Sequence, residues 1–135
     1  MVEINIVYQG TLRCTATHKP SGTILVTDAP VDNQGKGESF SPTDLIATAL
    51  GTCMLTTMGI VAQRLSIALE GVQLTVRKEM AGTPSRHIER LTVSITVPGV
   101  LEDPQKESLT RAAMGCPVKQ SLHPDIQMPV EFIWA

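Results

Sequence analysis

The stretch SFSPTDLIATALGTCMLTTMGIVAQRL, residues 39–65, decides the fold because it opens polar and then carries no charge from Leu45 to Ala62. An uncharged segment of this length could be a membrane span, a buried core helix that contains a cysteine, or a helix that presents a thiol to chemistry. Its threonines and glycines lower the average hydrophobicity of the segment. In the rest of the chain polar and apolar residues alternate, as in a soluble domain. We therefore expect a core helix rather than a membrane span.

The beginning of this helix is well marked in the sequence. Ser41 is a good N-cap, Pro42 suits the first helical position, and Asp44 completes an S-x-x-D capping box. Residues on one helical face recur at the spacing of a buried stripe: Ile46, Ala49, Leu50, Cys53, Thr57 and Ile60. The pattern predicts that Cys53 points into the interior.

Strand-like segments flank this helix on both sides. The segments VEINIVY, TLRCTATH and GTILVTD precede it, with turns predicted at Gln9-Gly10 and at Pro20-Ser21-Gly22. The segments ALEGVQLTVRKEM and IERLTVSITVP follow it, and MPVEFIWA closes the chain. The order βββ-α-ββ-α-α-β predicts an α+β fold with antiparallel sheets and a long buried central helix.

A second helix is predicted to begin with Asp103 as its cap and Pro104 at its first position. Its inward positions are Leu109, Ala112, Ala113 and Cys116. Because Pro117 ends this helix and can begin a short helical turn, we expect Cys116 near the N-cap of that turn.

The composition of the chain limits the class of protein to which it can belong. The chain has 135 residues, of which 42% are apolar and 18% charged, so we expect one globular domain spanning residues 1–135. Its lysines and arginines form no basic patch in the sequence, which argues against a nucleic-acid partner. The opening MVEINIVYQG does not resemble a signal peptide, and three cysteines do not resemble a disulfide scaffold. We therefore expect a cytoplasmic protein whose thiols are structural, metal-binding or reactive.

Cys53 and Cys116 admit two interpretations from spacing alone. They are either small buried hydrophobic residues or a redox pair. A thiolate at Cys116 could be stabilised by backbone N–H groups at the start of the following turn, whereas Cys53 lies deep in its helix and would need a nearby cation. Arg13 is either a solvated strand arginine or a guanidinium that pairs with a thiolate across a subunit boundary.

The acidic candidates are Asp44 and Glu38. Asp44 lies nine residues before Cys53, or about 13 Å along a straight helix, so it could act on that thiol only through an intervening arginine. Cys14 and His18 share a strand face, but two ligands do not make a metal site, and we expect Cys14 to pack. Three methionines near the cysteines either line an apolar substrate pocket or fill the core: Met54, Met58 and Met114.

The segment SPTDLIATALGTCM followed by CPVKQSL resembles the OsmC/Ohr family of osmotically induced and organic-hydroperoxide-resistance proteins, over nearly the whole chain. The resemblance implies an intertwined homodimer with active sites at the subunit interface. It also implies thiol peroxidase chemistry, with Cys53 as the peroxidatic thiol and Cys116 as the resolving one. The family uses an arginine from the first strands, for which Arg13 is the candidate. It also uses a glutamate after the helix-starting proline, where this chain has Thr43 and then Asp44.

The resemblance therefore predicts reduction of organic hydroperoxides to alcohols in oxidative stress defence. An external dithiol of the thioredoxin-like or lipoyl type would restore the pair, with no metal or bound cofactor. Two other classes stay open: a small-ligand-binding or redox-sensing dimer without efficient turnover, and a structural stress protein that tolerates loss of both cysteines.

Overall fold

A computed structural model describes all residues from Met1 to Ala135, and the chain divides into two compact units, Met1–Ile46 and Ala47–Ala135. The elements follow in the predicted order: β1 (Ile4–Gly10), β2 (Arg13–His18), β3 (Ile24–Asp28), a short 3-10 helix (Val31–Asn33), α1 (Pro42–Leu65), β4 (Gln73–Ala81), β5 (His87–Val97), α2 (Asp103–Met114), α3 (Pro117–Ser121) and β6 (Val130–Trp134). The α+β fold class and the order of elements are thus confirmed, whereas a single domain over residues 1–135 stays a prediction.

The first unit contains an antiparallel sheet in the order β1-β2-β3. The turn between β1 and β2 was predicted at Gln9-Gly10, and that prediction is wrong, because β1 continues to Gly10. Thr11 and Leu12 make the turn instead, with φ angles of 52° and 63°. Two consecutive left-handed residues match the twist of a hairpin, but without Asn or Gly in the turn the sequence gives no sign of it.

The second unit contains a sheet in the order β4-β5-β6. β4 and β5 are antiparallel, as predicted, whereas β6 pairs with β5 in parallel. The expectation of purely antiparallel sheets is therefore wrong for β6, because the long connection through α2 and α3 lets the chain re-enter the sheet in the same direction. The predicted alternation in β5 is confirmed by its buried residues Leu91, Val93, Ile95 and Val97.

α1 supplies much of the core of the second unit, but its buried stripe is rotated from the predicted one. The buried residues are Ala47, Leu50, Gly51, Met54, Met58 and Ala62. Of the predicted face only Leu50 is fully buried, Cys53 is half-buried, and Ile60 is 53% exposed. The difference follows from Gly51, where a Cβ atom would lie 2.8 Å from a methyl carbon of Leu74 on β4. The strand packs closely against the glycine rather than against the more apolar positions.

By length and composition alone α1 could cross a membrane, since its 18-residue window has a mean hydropathy of 1.8. A core helix of a soluble protein meets the same criterion, and 33% of this window is buried within the protein. The expectation that the chain has no membrane partner stays a prediction.

The second predicted cap is displaced by one residue. Glu102, rather than Asp103, is the N-cap of α2, and its backbone N–H donates to Oε1 of Gln105 at 2.9 Å. The longer glutamine side chain reaches back to the cap in a reciprocal capping box. Pro104 thus lies at the second helical position. Of the four predicted inward positions, Leu109, Ala113 and Cys116 are fully buried, whereas Ala112 is half-buried.

Candidate functional site

The start of α1 forms the predicted capping box. The backbone N–H of Asp44 donates to Oγ of Ser41 at 3.1 Å, and the backbone N–H of Ser41 donates to Oδ2 of Asp44 at 2.9 Å. This reciprocal pair satisfies two backbone donors of the first turn and fixes where the helix begins. A role of Asp44 in chemistry stays a prediction.

Arg13 belongs to a charged cluster within the first unit. Its Nη2 atom lies 3.0 Å from Oε1 of Glu38 and 3.4 Å from Oδ2 of Asp28. The hydrogen bond and charge of Glu38 raise the pKa of Arg13. The side chain of Arg13 is 33% exposed, so the guanidinium is held on one side while part of it faces outward.

Asp28 is the buried member of this cluster, with 1% of its surface exposed. Its Oδ2 accepts a hydrogen bond from the backbone N–H of Glu38 at 3.0 Å, whereas its Oδ1 accepts none. The Glu38 N–H and the Arg13 charge hold the pKa of Asp28 below its ordinary value, against the effect of burial. The cluster therefore combines a fixed buried carboxylate, an exposed carboxylate and one guanidinium.

The sequence reasoning named Arg13 and Glu38 but missed Asp28. The β2–β3 register places Arg13 directly opposite Asp28, whereas a turn confined to Pro20-Ser21-Gly22 would place Arg13 opposite Ala29, so the sequence held no usable signal for Asp28. Residues opposite each other on neighbouring antiparallel strands are close enough to interact.

Cys53 and Cys116 come together within the second unit. Cys116 is fully buried as the N-cap of α3, and its Sγ accepts a hydrogen bond from the backbone N–H of Lys119 at 3.3 Å. Cys53 is close enough to Cys116 to raise its pKa, and both cysteines are free. The helix that carries Cys53 therefore brings this thiol near the α2–α3 junction.

The electrostatics of the pair favour a neutral thiol at Cys116. Burial raises the pKa of Cys116, the Lys119 N–H acts in the opposite direction, and the neighbouring Cys53 raises it further. The partial positive charge of a helix start is thus present at this sulfur, but desolvation outweighs it. Cys53, by contrast, is half-buried, so an external molecule has a way to approach it.

The remaining candidates lie in different surroundings. Met54 and Met58 are fully buried, which matches core filling, whereas Met114 is 37% exposed. Their role as a substrate pocket stays a prediction. Cys14 is half-buried and pairs in register with Tyr8 and Thr27, and the structure contains no group of three or more His, Cys, Asp or Glu side chains that could hold a metal ion.

The two free thiols thus lie near each other, one on α1 and one at the junction of α2 and α3, within the predicted order of elements. The chain belongs to the OsmC-like protein family, whose model matches residues 35–131. The predicted family is thus confirmed. No curated protein matches the sequence.

Solved structures with the same fold cover nearly the whole chain. One, from Psychrobacter arcticus 273-4, is provisionally described as an osmotic stress induced and detoxification response protein. It is 45% identical with a TM-score of 0.92, over 98% of this chain and 96% of its own. An organic hydroperoxide resistance protein OsmC from Legionella pneumophila is 18% identical with a TM-score of 0.75, over 98% and 96%. A provisionally described organic hydroperoxide resistance protein from Vibrio cholerae, with captopril bound in one active site, is 18% identical with a TM-score of 0.76, over 98% and 90%.

Proposed function

We propose that the chain reduces organic hydroperoxides to alcohols with Cys53 and Cys116 as a redox pair, in defence against oxidative stress. The observation that carries the proposal is the proximity of two free thiols, one half-buried on α1 and one fully buried at the N-cap of α3. The names of the Legionella and Vibrio neighbours, both organic hydroperoxide resistance proteins, support the same substrate class.

The proposed reaction has three steps. The Cys53 thiolate attacks the terminal oxygen of the hydroperoxide, the O–O bond breaks, and the alkoxide takes a proton to leave as an alcohol. The resulting Cys53 sulfenic acid condenses with the thiol of Cys116, which forms a disulfide and releases water. An external dithiol of the thioredoxin-like or lipoyl type then reduces the disulfide by exchange.

Arg13 is the proposed cation for the Cys53 thiolate, across the subunit boundary of the proposed homodimer. Its guanidinium is held by Glu38 and Asp28, whereas Thr43 stands at the position of the family glutamate. Asp44 is proposed as a positioning residue, since its bond to Ser41 fixes the start of the helix that carries Cys53.

Thiol counting tests the pair directly. Reduced protein is mixed with cumene hydroperoxide, and free thiols are counted by mass in the wild type and in Cys53→Ser, Cys116→Ser and Cys14→Ser. We expect rapid loss of two thiols in the wild type, none in Cys53→Ser, a trapped sulfenic acid in Cys116→Ser, and wild-type behaviour in the control Cys14→Ser. Oxidation no faster than that of a free model thiol would contradict the peroxidase proposal.

A second candidate is a small-ligand-binding or redox-sensing dimer without efficient turnover. The presence of Thr43 where the family has a glutamate favours it. In that case the two thiols would still be oxidised to a disulfide, but slowly and without sustained consumption of peroxide when a dithiol is supplied. Steady-state peroxide consumption with dithiothreitol therefore separates the two candidates.

We further propose that the active form is a cytoplasmic homodimer. The sheet of the first unit exposes Ile4, Ile6 and Tyr8 by 56%, 65% and 63%, a row of apolar surface that a monomer rarely leaves uncovered. Three free cysteines fit a reducing compartment.

A further inference from the structure

A cavity of about 400 Å³, open to solvent, lies within the second unit between the last turns of α1 and the C-terminal half of α2. Its lining residues are Val61, Arg64, Leu65, Ser108, Arg111 and Ala112. The volume falls within the range of about 300–1,000 Å³ found for small-molecule sites. A combination of apolar walls with a few polar groups is also typical of such sites.

Both charged groups of the lining are arginines, and neither Arg64 nor Arg111 forms an ion pair with a carboxylate in this structure. Arg64 lies in the last turn of α1 and Arg111 in the last turn of α2, where a cation interacts favourably with the helix dipole. That interaction accounts for each arginine on its own helix. Both arginines are exposed, and a carboxylate bound in the cavity would give each guanidinium the ionic partner that it lacks in this structure.

The other walls specify what kind of anion fits. Val61, Leu65 and Ala112 provide apolar surface, and Ser108 adds a hydroxyl group. Guanidinium groups bind carboxylates through paired hydrogen bonds, which gives both charge and direction. We propose that this cavity binds a small amphipathic carboxylate, with its head group at Arg64 and Arg111 and its hydrocarbon portion against the apolar wall.

This site is separate from the thiol pair. Neither Cys53 nor Cys116 lines the cavity, and Val61 follows Cys53 by eight residues, or about 12 Å along the axis of α1. Carboxylate binding therefore requires neither thiol, and it goes beyond the proposed peroxidase function. The variant Cys53→Ser, which abolishes the proposed peroxidase reaction, should bind the carboxylate as the wild type does.

Isothermal titration calorimetry of the reduced full-length protein with octanoate tests the site. We expect saturable binding of octanoate, and much weaker binding of acetate, which lacks the chain, and of octan-1-ol, which lacks the charge. Losing a charge-assisted hydrogen bond weakens binding about tenfold or more, so Arg64→Gln and Arg111→Gln should each show that loss. Arg77→Gln on β4 removes the same charge outside the cavity and should change the affinity less than twofold.

A second variant tests the apolar part while keeping both charges. Ala112→Leu places extra carbons in the cavity and should block octanoate without disturbing the arginines. The proposal is overturned if wild-type protein does not bind octanoate, if octan-1-ol binds equally well, or if Arg77→Gln weakens binding as much as Arg111→Gln. Binding that survives Ala112→Leu unchanged would likewise place the ligand elsewhere.

Discussion

Gly51 and Gly59 form a matched pair on α1, and alanine at the two positions should have opposite effects on stability. Both glycines lie inside the helix, where glycine costs about 1 kcal/mol relative to alanine. At Gly59 a new Cβ atom would have no neighbour within 4 Å. Gly59→Ala should therefore stabilise the protein by about 0.5–1 kcal/mol.

At Gly51 the same methyl group meets β4. It would lie 2.8 Å from Cδ2 of Leu74 and 3.1 Å from Cγ2 of Val76, whereas carbon atoms pack best at about 3.5–4.0 Å. The Leu74 side chain can rotate away in part, but the β-branched Val76 is stiff. Overpacking of this kind costs about 1–3 kcal/mol, so Gly51→Ala should be destabilising by up to about 2 kcal/mol after the helix-propensity gain.

Urea unfolding followed by circular dichroism measures both free energies, provided that the slope of the transition is unchanged. The two variants should differ by about 1–3 kcal/mol. In a Leu74→Ala background the closer of the two contacts is absent and only that with Val76 stays, so Gly51→Ala should cost less there, with a coupling energy of about 1 kcal/mol. Equal stabilisation by Gly51→Ala and Gly59→Ala would refute the argument that Gly51 is needed for the close approach of β4.

Three further predictions concern the two cysteines, the charged cluster of Arg13 and Asp28, and the proposed homodimer. Iodoacetamide should modify Cys116 more slowly than Cys53, as read by peptide mass mapping, because Cys116 is buried and burial raises its pKa; equal rates would contradict this. The lowered pKa of Asp28 means that its stabilising effect is present above the unfolded-state pKa of about 3.9 and is lost as pH falls through the lower folded value. Arg13→Ala should thus destabilise more than the control Lys19→Ala, whose partner Glu3 is exposed, and the Arg13 effect should shrink in urea titrations below pH 4. Light scattering should give twice the chain mass of 14.5 kDa, with dissociation in Ile6→Lys but not in Val100→Lys, since Val100 lies in a loop outside the sheet.

The fold was largely predictable because its signals are local. Ser41, Pro42 and Asp44 fix the start of α1, and the alternation of β5 fixes which of its side chains are buried. The buried face of α1 was not predictable in the same way. A helix that is apolar nearly all round has no strong hydrophobic periodicity. Its buried face is therefore determined by the strand that packs against it, and here β4 packs against Gly51. The parallel pairing of β6 is likewise set by a long connection rather than by its own residues.

The residues of the candidate site also differ in how far they could be predicted from local sequence. Cys116 at the N-cap of α3 was predictable, because Pro117 directly follows it. Asp28 required the pairing of two strands, and the cavity at Arg64 and Arg111 required the packing of two helices. Both are relations between residues far apart in the sequence, which one-dimensional patterns do not contain.

The unequal exposure of the two cysteines indicates which thiol reacts first in the proposed chemistry. A peroxide that enters from solvent can meet the half-buried Cys53, whereas Cys116 is fully buried, and burial raises its pKa. In the proposed reaction Cys116 would therefore stay a protonated thiol until a sulfenic acid forms on the neighbouring Cys53. The N–H of Lys119 at 3.3 Å can stabilise negative charge on Cys116 as its proton leaves in the condensation step. The helix junction thus suits a resolving thiol better than an attacking one, which supports the proposal that Cys53 attacks the peroxide.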